Sequence, residues 1–448
     1  MISRSLFGND FKWGVSSSAL QTEGNYPNDG KAASIWDEFA AKKRKIKRGH
    51  QPTTATDFYN HYLEDLDLIK WMNCENFRFS IAWSRVLPEG TGKINQKGLD
   101  FYDRLIDDCL ERSITPWITC YHWDLPAALQ VKGGWVNREV LSWFTEYLEL
   151  LLSKYADRVE NWMVLNEPVA FTALGYFMGI HAPGKRGLSN FLPAMHHAAL
   201  AQALGGRILK SKNVNLNVGT TFSFSPIEAY RANKKDESAR VKVDALLNRL
   251  YLEPLLGLGY PLEELPGLKK VEKYFKEGDE KNLAFDFDFI GVQNYSREVV
   301  THSYLTPIVN AKLITAKKRN VPRTAMKWEL YPEGIYRVLK RLNEYKNIPP
   351  LFVTESGIAL ADQKDELGDI NDFQRYEYYQ NSIKAVLKAK EEGVNVKGFF
   401  CWSLSDNFEW AEGYHPRFGL IYIDYKTLER TPKLSAYMYR KFLKEIKI

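Results

Sequence analysis

Residues 161–168 read Asn161-Trp162-Met163-Val164-Leu165-Asn166-Glu167-Pro168, a short apolar, strand-forming run that ends in a carboxylate directly before a chain-breaking proline. Seven more runs of this kind, at 11–16, 76–81, 115–121, 217–222, 289–293, 351–354 and 396–403, make eight candidate strands together with 161–165. Longer amphipathic segments separate them. In 56–72 the apolar residues Tyr59, Tyr62, Leu63, Leu66 and Ile69 recur at helical spacing, and 99–112, 138–155 and 372–391 behave alike. Strand–helix alternation predicts parallel βαβ units. Eight repeats predict a closed (β/α)₈ TIM barrel over an open doubly wound sheet, which usually has fewer strands. A length of 448 residues suggests about three domains by a simple prior, but barrels with insertions run to over 400 residues as one. No linker divides the chain, so residues 1–448 read as a single domain. The least regular stretches, 44–56 and 296–327, fall after the first and sixth candidate strands, on the face of a barrel that carries chemistry.

Several function classes drop out on composition. Hydrophobic residues at 45% and charged residues at 26% describe an ordinary globular chain, neither disordered nor fibrous. No GxGxxG or P-loop follows any candidate strand, which weakens nucleotide binding. The net charge is +6, and the one dense basic run is Lys42-Lys43-Arg44-Lys45-Ile46-Lys47-Arg48. It reads as a solvated loop face, because no aromatic interleaving or nucleic-acid motif accompanies it. Cys74, Cys109, Cys120 and Cys401 form no CxxC pair and read as buried thiols of a reducing compartment. The first residues lack the apolar stretch of a signal peptide, and no run of about 18 apolar residues occurs. A cytoplasmic protein with neither membrane nor nucleic-acid partner is expected; a homo-oligomer stays open.

Chemistry enters at the strand ends. Val164-Leu165-Asn166-Glu167-Pro168 closes the fourth run and Val353-Thr354-Glu355-Ser356-Gly357 the seventh. In a barrel all strands point their carboxyl ends the same way, so Glu167 and Glu355 share one pocket despite their distance in sequence. Two such carboxylates are what glycoside hydrolysis requires, one to protonate the departing oxygen and one to attack or to activate water at the anomeric carbon. The 14% aromatic content, mostly core, also suits stacking on sugar C–H faces.

These segments resemble the two signatures of glycoside hydrolase family 1, the β-glucosidase family, typically T-x-N-E-P and I/V-T-E-N-G. The resemblance runs from about residue 11 to 437. It includes Phe11-Lys12-Trp13-Gly14 leading to Gln21-Thr22-Glu23-Gly24, Arg78-Phe79-Ser80-Ile81-Ala82-Trp83, and Tyr121-His122-Trp123-Asp124-Leu125-Pro126. Trp402-Ser403-Leu404-Ser405-Asp406-Asn407-Phe408-Glu409-Trp410 and Arg417-Phe418-Gly419 complete it. It implies a retaining, exo-acting β-glycosidase, most of all a β-glucosidase with galactosidase or fucosidase activity alongside, acting on small-molecule β-glucosides or oligosaccharides with no cofactor or metal. Glu355 would be the nucleophile, kept ionised by Arg78 and Tyr295. Glu167 would be the acid/base, its pKa raised by the Glu355 charge and lowered once that charge is consumed. The retaining outcome implies carboxyls roughly 5–5.5 Å apart. Asn166 would bond the sugar 2-hydroxyl. Gln21, His122, Trp123, Glu409, Trp410 and Phe418 would surround the terminal sugar, Trp402 would form its floor through a cis Trp402–Ser403 peptide, and Trp328 would stack on the leaving group. From the residues alone, His122 also reads as a core histidine, Arg78 as an ion-pair member, and Trp402 and Trp410 as packing aromatics.

Three departures from the family pattern stand out: Ser356 for the usual Asn after the nucleophile, Gln293-Asn294-Tyr295 for a segment often written Asn-Tyr-Tyr, and Val169 where a bulkier aromatic is common. Members acting on phosphorylated sugars carry Ser where Glu409 stands; a carboxylate there would repel a 6-phosphate, so an unphosphorylated sugar is expected. Plant thioglucosidases of the family lack the acid/base that Glu167 provides. Transglycosylation is the nearest rival, and a silent carbohydrate-binding homologue would have lost a carboxylate.

Overall fold

The eight expected strands exist and close on one another. They are β1 (Lys12–Ser16), β2 (Asn76–Ser80), β3 (Thr115–Tyr121), β4 (Asn161–Asn166), β5 (Asn217–Ser223), β6 (Phe289–Gln293), β7 (Leu351–Ser356) and β8 (Val396–Trp402). The order around the closed barrel is β1-β8-β7-β6-β5-β4-β3-β2, with every neighbouring pair parallel. The computed structural model describes residues 2–24, 29–211, 215–306 and 308–444. The other positions of the span 1–448, Pro307 of the stretch 296–327 included, lie outside the described residues.

β2, β4, β6 and β7 are buried at every residue. One face of such a strand meets the barrel interior and the other the surrounding helices, so β4, β6 and β7 carry continuous apolar runs (162–165, 289–292 and 351–353). In contrast, β2 alternates Phe77 and Phe79 with buried Asn76, Arg78 and Ser80. The helices Phe58–Trp71, Val140–Tyr155 and Phe373–Glu391 lie within a residue or two of the expected segments. Gln96–Glu111 starts three residues before 99, because its polar first turn carries no apolar periodicity.

The barrel interior is plugged by side chains from five strands: Trp117, Met163, Phe289, Phe352 and Phe400 form one buried cluster. The Trp117 ring lies 5.1 Å from Phe352 and 5.2 Å from Phe400, tilted or edge-on as ring quadrupoles favour. This leaves β1 no room for a side chain at Gly14, where a Cβ would lie 2.2 Å from the Phe400 ring.

The stretch 296–327 is more ordered than its sequence suggested. Glu298–His302 and Ala311–Leu313 join Ile227–Ala229 in a three-stranded sheet, and Ala316–Arg319 is helical. Ile227–Ala229 and Ala311–Leu313 are only three residues long, too short for a period to register. Glu298–His302, however, is as long as β6 and carries the β-branched pair Val299-Val300 that could have marked it. The stretch 44–56 contains only the 3₁₀ turn Lys47–Gly49. All four cysteines are buried free thiols. Among the described residues, no helix is long and apolar enough to cross a membrane.

Candidate active site

Above the aromatic plug sits a fully buried arginine. Arg78, on β2, donates from Nε to Thr119 Oγ1 (3.1 Å) and lies 3.2 Å from Met163 Sδ, so the plug itself fixes its height in the barrel. Its two remaining nitrogens point upward. Nη1 contacts the Glu355 carboxylate, and Nη2 donates to Asn166 Oδ1 at 2.6 Å. Asn166 Oδ1 accepts a second bond from Gln293 Nε2 (2.8 Å), so its amide nitrogen faces His122 Nε2 at 3.0 Å. That nitrogen must therefore accept, and the neutral imidazole carries its proton on Nδ1, which has no partner among the described residues. Burial, and then the Arg78 charge, hold His122 well below the usual histidine range. The Asn166 carbonyl accepts from Trp123 Nε1 (2.9 Å). Strands β2, β3, β4, β6 and β7 are thus tied by side chains at one level.

The two glutamates stand on this level in unequal surroundings. Glu355 lies within β7, and its Oε2 accepts from the Tyr295 hydroxyl at 2.5 Å. Glu167 follows β4 in a left-handed conformation (φ 47°), with Pro168 opening the next short helix and its own N–H donating to Thr221 O (2.9 Å). Burial raises both carboxyls. For Glu355, Arg78 and Tyr295 then pull back down, so the expected stabilising contacts exist but burial outweighs them. Glu167 is pushed up to about 8, by burial first and the Glu355 charge second, against a Ser223 hydrogen bond and a weaker pull from Arg78. Glu409 also reaches about 8, from burial and then the charges of Glu355 and Glu167. Its carboxyl is thus shifted toward the protonated form, which weakens the expected repulsion of a 6-phosphate.

Ten of the thirteen expected residues line one cavity of about 290 Å³: His122, Trp123, Glu167, Tyr295, Trp328, Glu355, Trp402, Glu409, Trp410 and Phe418. Arg78 and Asn166 lie beneath it. Gln21 lies behind it, with its amide bonded to Asn407 Oδ1 and the Phe408 carbonyl (both 3.0 Å) and reaching Glu409 Oε2 at 3.5 Å. The Trp402–Ser403 peptide is cis, as the resemblance implied. Trp402 packs with Phe418, Tyr295 and Trp328 on one wall, while Trp410 meets Trp123 (4.5 Å) and Trp36 (4.7 Å) on the other.

Ser223, Ala170, Leu174, His181, Met326, Ala411 and Glu412 also line the cavity and were not foreseen. Ser223 had a usable signal, since it ends β5 one residue past the expected boundary, and strand ends are where such a barrel places its chemistry. Of the departures, Ser356 is supported by Tyr378 (3.1 Å between hydroxyls), and Val169 is buried outside the cavity lining. The next residue, Gly357, is required by a close approach, since a Cβ there would stand 2.0 Å from the Trp402 carbonyl oxygen. Trp328 is held by its neighbour Glu329, which Arg297 (2.8 and 2.9 Å) and Arg319 (2.5 Å) grip from the small sheet side.

The sequence model of the family described as Glycosyl hydrolase family 1 matches residues 3–447. A protein named beta-glucosidase A, from Thermotoga maritima, is 41% identical over 98% of this chain and 98% of its own. A solved structure of a family 1 β-glucosidase from Thermotoga maritima superimposes with a TM-score of 0.93 at 40% identity, covering 98% of both chains. A β-glucosidase from the same organism in complex with glucoimidazole gives 0.92 at 39%, again over 98% of each.

Proposed function

The chain belongs to glycosyl hydrolase family 1, and from that premise we propose that it is a retaining, exo-acting β-glycosidase, foremost a β-glucosidase, whose residues 1–448 form one catalytic domain. The observation that carries this reading is the inequality of two buried carboxyls in one cavity, one gripped by a guanidinium and a phenol, the other without a direct cation contact among the described residues.

In the first step an oxygen of Glu355 attacks the anomeric carbon. The bond to the leaving oxygen breaks, and Glu167 gives that oxygen its proton. Forming the glycosyl ester removes the Glu355 charge and with it part of what raised Glu167, so Glu167 can then take a proton from water as the water displaces Glu355. Tyr295, held well above its ordinary pKa by burial and then the Glu355 charge, keeps its proton and donates throughout. Asn166 is fixed by Arg78, Gln293 and His122, and it would hold the 2-hydroxyl where a bond strengthens in the transition state. Glu409, Trp410, His122 and Trp123 would surround the remaining hydroxyls, Trp402 would lie under the ring, and Trp328 would meet the leaving group. Small β-glucosides or oligosaccharides fit this chemistry, and the relatives' activity and glucoimidazole complex support glucose at the terminal position. Four buried free thiols support a reducing compartment, the cytoplasm. The test is proton NMR of the first sugar released from an aryl β-glucoside. Retention gives the β-anomer before mutarotation; the α-anomer first would overturn the mechanism.

A further inference from the structure

The basic run is a solvated loop face, as composition indicated, with Lys42, Lys43, Arg44, Lys47 and Arg48 exposed, and it also forms one side of an open cleft. Ile46, in its middle, is buried and pins the loop. Arg44, Lys45, Lys47 and Arg48 then line a cavity of about 590 Å³ together with Gly179, Ile180, His181, Arg186, Ala411 and Glu412. Five cationic side chains face a single carboxylate, Glu412, and that one is already paired with Lys47. Arg44 (φ 63°) and Arg48 (φ 59°) both hold left-handed backbone conformations that L residues rarely adopt, so the loop is shaped at a cost.

Many other arginines meet carboxylates, such as Arg85 with Glu23, Arg297 with Glu329, Arg375 with Asp362 and Arg430 with Asp65, while Arg207 and Arg440 bond backbone carbonyls. Arg44, Arg48 and Arg186 meet no carboxylate among the described residues. A cleft lined by one sign of charge concentrates ligands of the other sign.

Its place relative to the sugar cavity gives this a use. The two cavities share His181, Ala411 and Glu412. The segment that follows Glu167 carries Ala170 and Leu174 on the sugar cavity, then Gly179, Ile180 and Arg186 on the basic one. A proton donor at Glu167 must reach the leaving oxygen, so the leaving group emerges beside this segment and is directed toward the cations.

We infer that the basic cavity receives an anionic group, a carboxylate or a phosphate, on the leaving-group part of the substrate, so that β-glucosides of acidic sugars or acidic aglycones are preferred to neutral ones. This rests on the glycosidase reading above and extends it to the substrate class.

The test compares kcat/KM on cello-oligosaccharides of two to four units whose reducing-end unit is intact, oxidised to the aldonate, or phosphorylated at O6. Each is assayed at about 0.02 M and about 0.5 M salt, a range over which screening of exposed charges becomes short-ranged. The wild type should favour an anionic form at one chain length by about tenfold at low salt and lose most of that preference at high salt. The variant Arg44→Gln/Arg48→Gln/Arg186→Gln should show no preference while hydrolysing neutral 4-nitrophenyl β-glucoside at the wild-type rate. Which anion is favoured identifies the group. Equal rates on neutral and anionic forms in the wild type, or a preference that survives the triple variant, overturn the inference. If the triple variant also loses the neutral rate, Arg186→Gln alone decides, since that side chain is exposed and a purely structural role would not tie it to substrate charge. A wild type inactive on 4-nitrophenyl β-glucoside would instead refute the glycosidase reading itself.

Discussion

The inner end of the sugar cavity and its rim are built differently. Inside, Arg78, Asn166, Gln293, His122 and Glu355 come from strand residues or positions next to strand ends, are buried, and hold one another by side-chain hydrogen bonds. At the rim, Trp328 is half-buried, and in the loops beside the cavity Arg44, Arg48 and Lys327 sit in left-handed conformations while Met178 and Ile180 expose about half their surface. Groups at the inner end are positioned by the closed sheet and cannot shift singly, because each is another's hydrogen-bond partner. Rim groups hang on loops and can change without disturbing that network. The division matches the demands of the reaction: bond making at the anomeric carbon tolerates little displacement, whereas leaving groups vary.

Substitutions should expose this contrast in graded steps. Glu355→Gln removes the attacking oxygen, and kcat should fall by at least about 10⁴-fold, as when a nucleophile is deleted elsewhere. The same variant should lower the Glu167 pKa from about 8, because the Glu355 charge is the second cause of its elevation; a ¹³C-carboxyl titration reads that shift, and an unchanged or raised value would break the account. In the wild type, activity should accordingly fall as pH rises through about 8, where Glu167 loses the proton it must donate. The limb belongs to the carboxyl pair and not to one group alone.

Glu167→Ala should cost about 10²–10⁴-fold on cellobiose and far less on a 2,4-dinitrophenyl glucoside, whose leaving group needs no proton. Equal losses on both would remove the acid role. Arg78→Met leaves Glu355 and Asn166 without their common donor. It should destabilise the fold by about 3–5 kcal/mol, the usual result of stranding one member of a buried pair, measurable by urea unfolding. The smallest effect should come from Trp328→Ala. Loss of a stacking face worth about 0.5–1.5 kcal/mol should raise KM for aryl glucosides while leaving deglycosylation unchanged. A large fall in kcat there would mean that the rim is coupled to the inner network after all.

The sequence carried the inner end much better than the rim. Strands β3 and β6 have the bounds their apolar runs indicated, and both glutamates stand where a strand run meets a chain breaker. What it could not carry depends on barrel closure. The bond from Arg78 to Asn166 joins β2 to β4 across β3, a distance set by sheet register and not by spacing along the chain. Burial of Glu355, which outweighs Arg78 and Tyr295 in setting the direction of its titration, likewise exists only after the loops pack over the strands. Gln21 stood out as a sugar ligand, but its bracing by Asn407 and the Phe408 carbonyl was not legible, because those partners arrive from β8's loop nearly four hundred residues later. At the rim, Ala311–Leu313 is too short to mark itself as a strand, and the basic run gave no sign that loops 179–186 and 411–412 would border it.

The central claim is that the two glutamates divide the labour, with Glu355 forming the covalent bond. Incubation with 2,4-dinitrophenyl 2-deoxy-2-fluoro-β-glucoside, followed by proteolysis and peptide mass spectrometry, tests it directly. The account predicts one glycosyl adduct, on Glu355, forming as activity is lost. An adduct on Glu167 or Glu409, or inactivation with Glu355 unmodified, would contradict it.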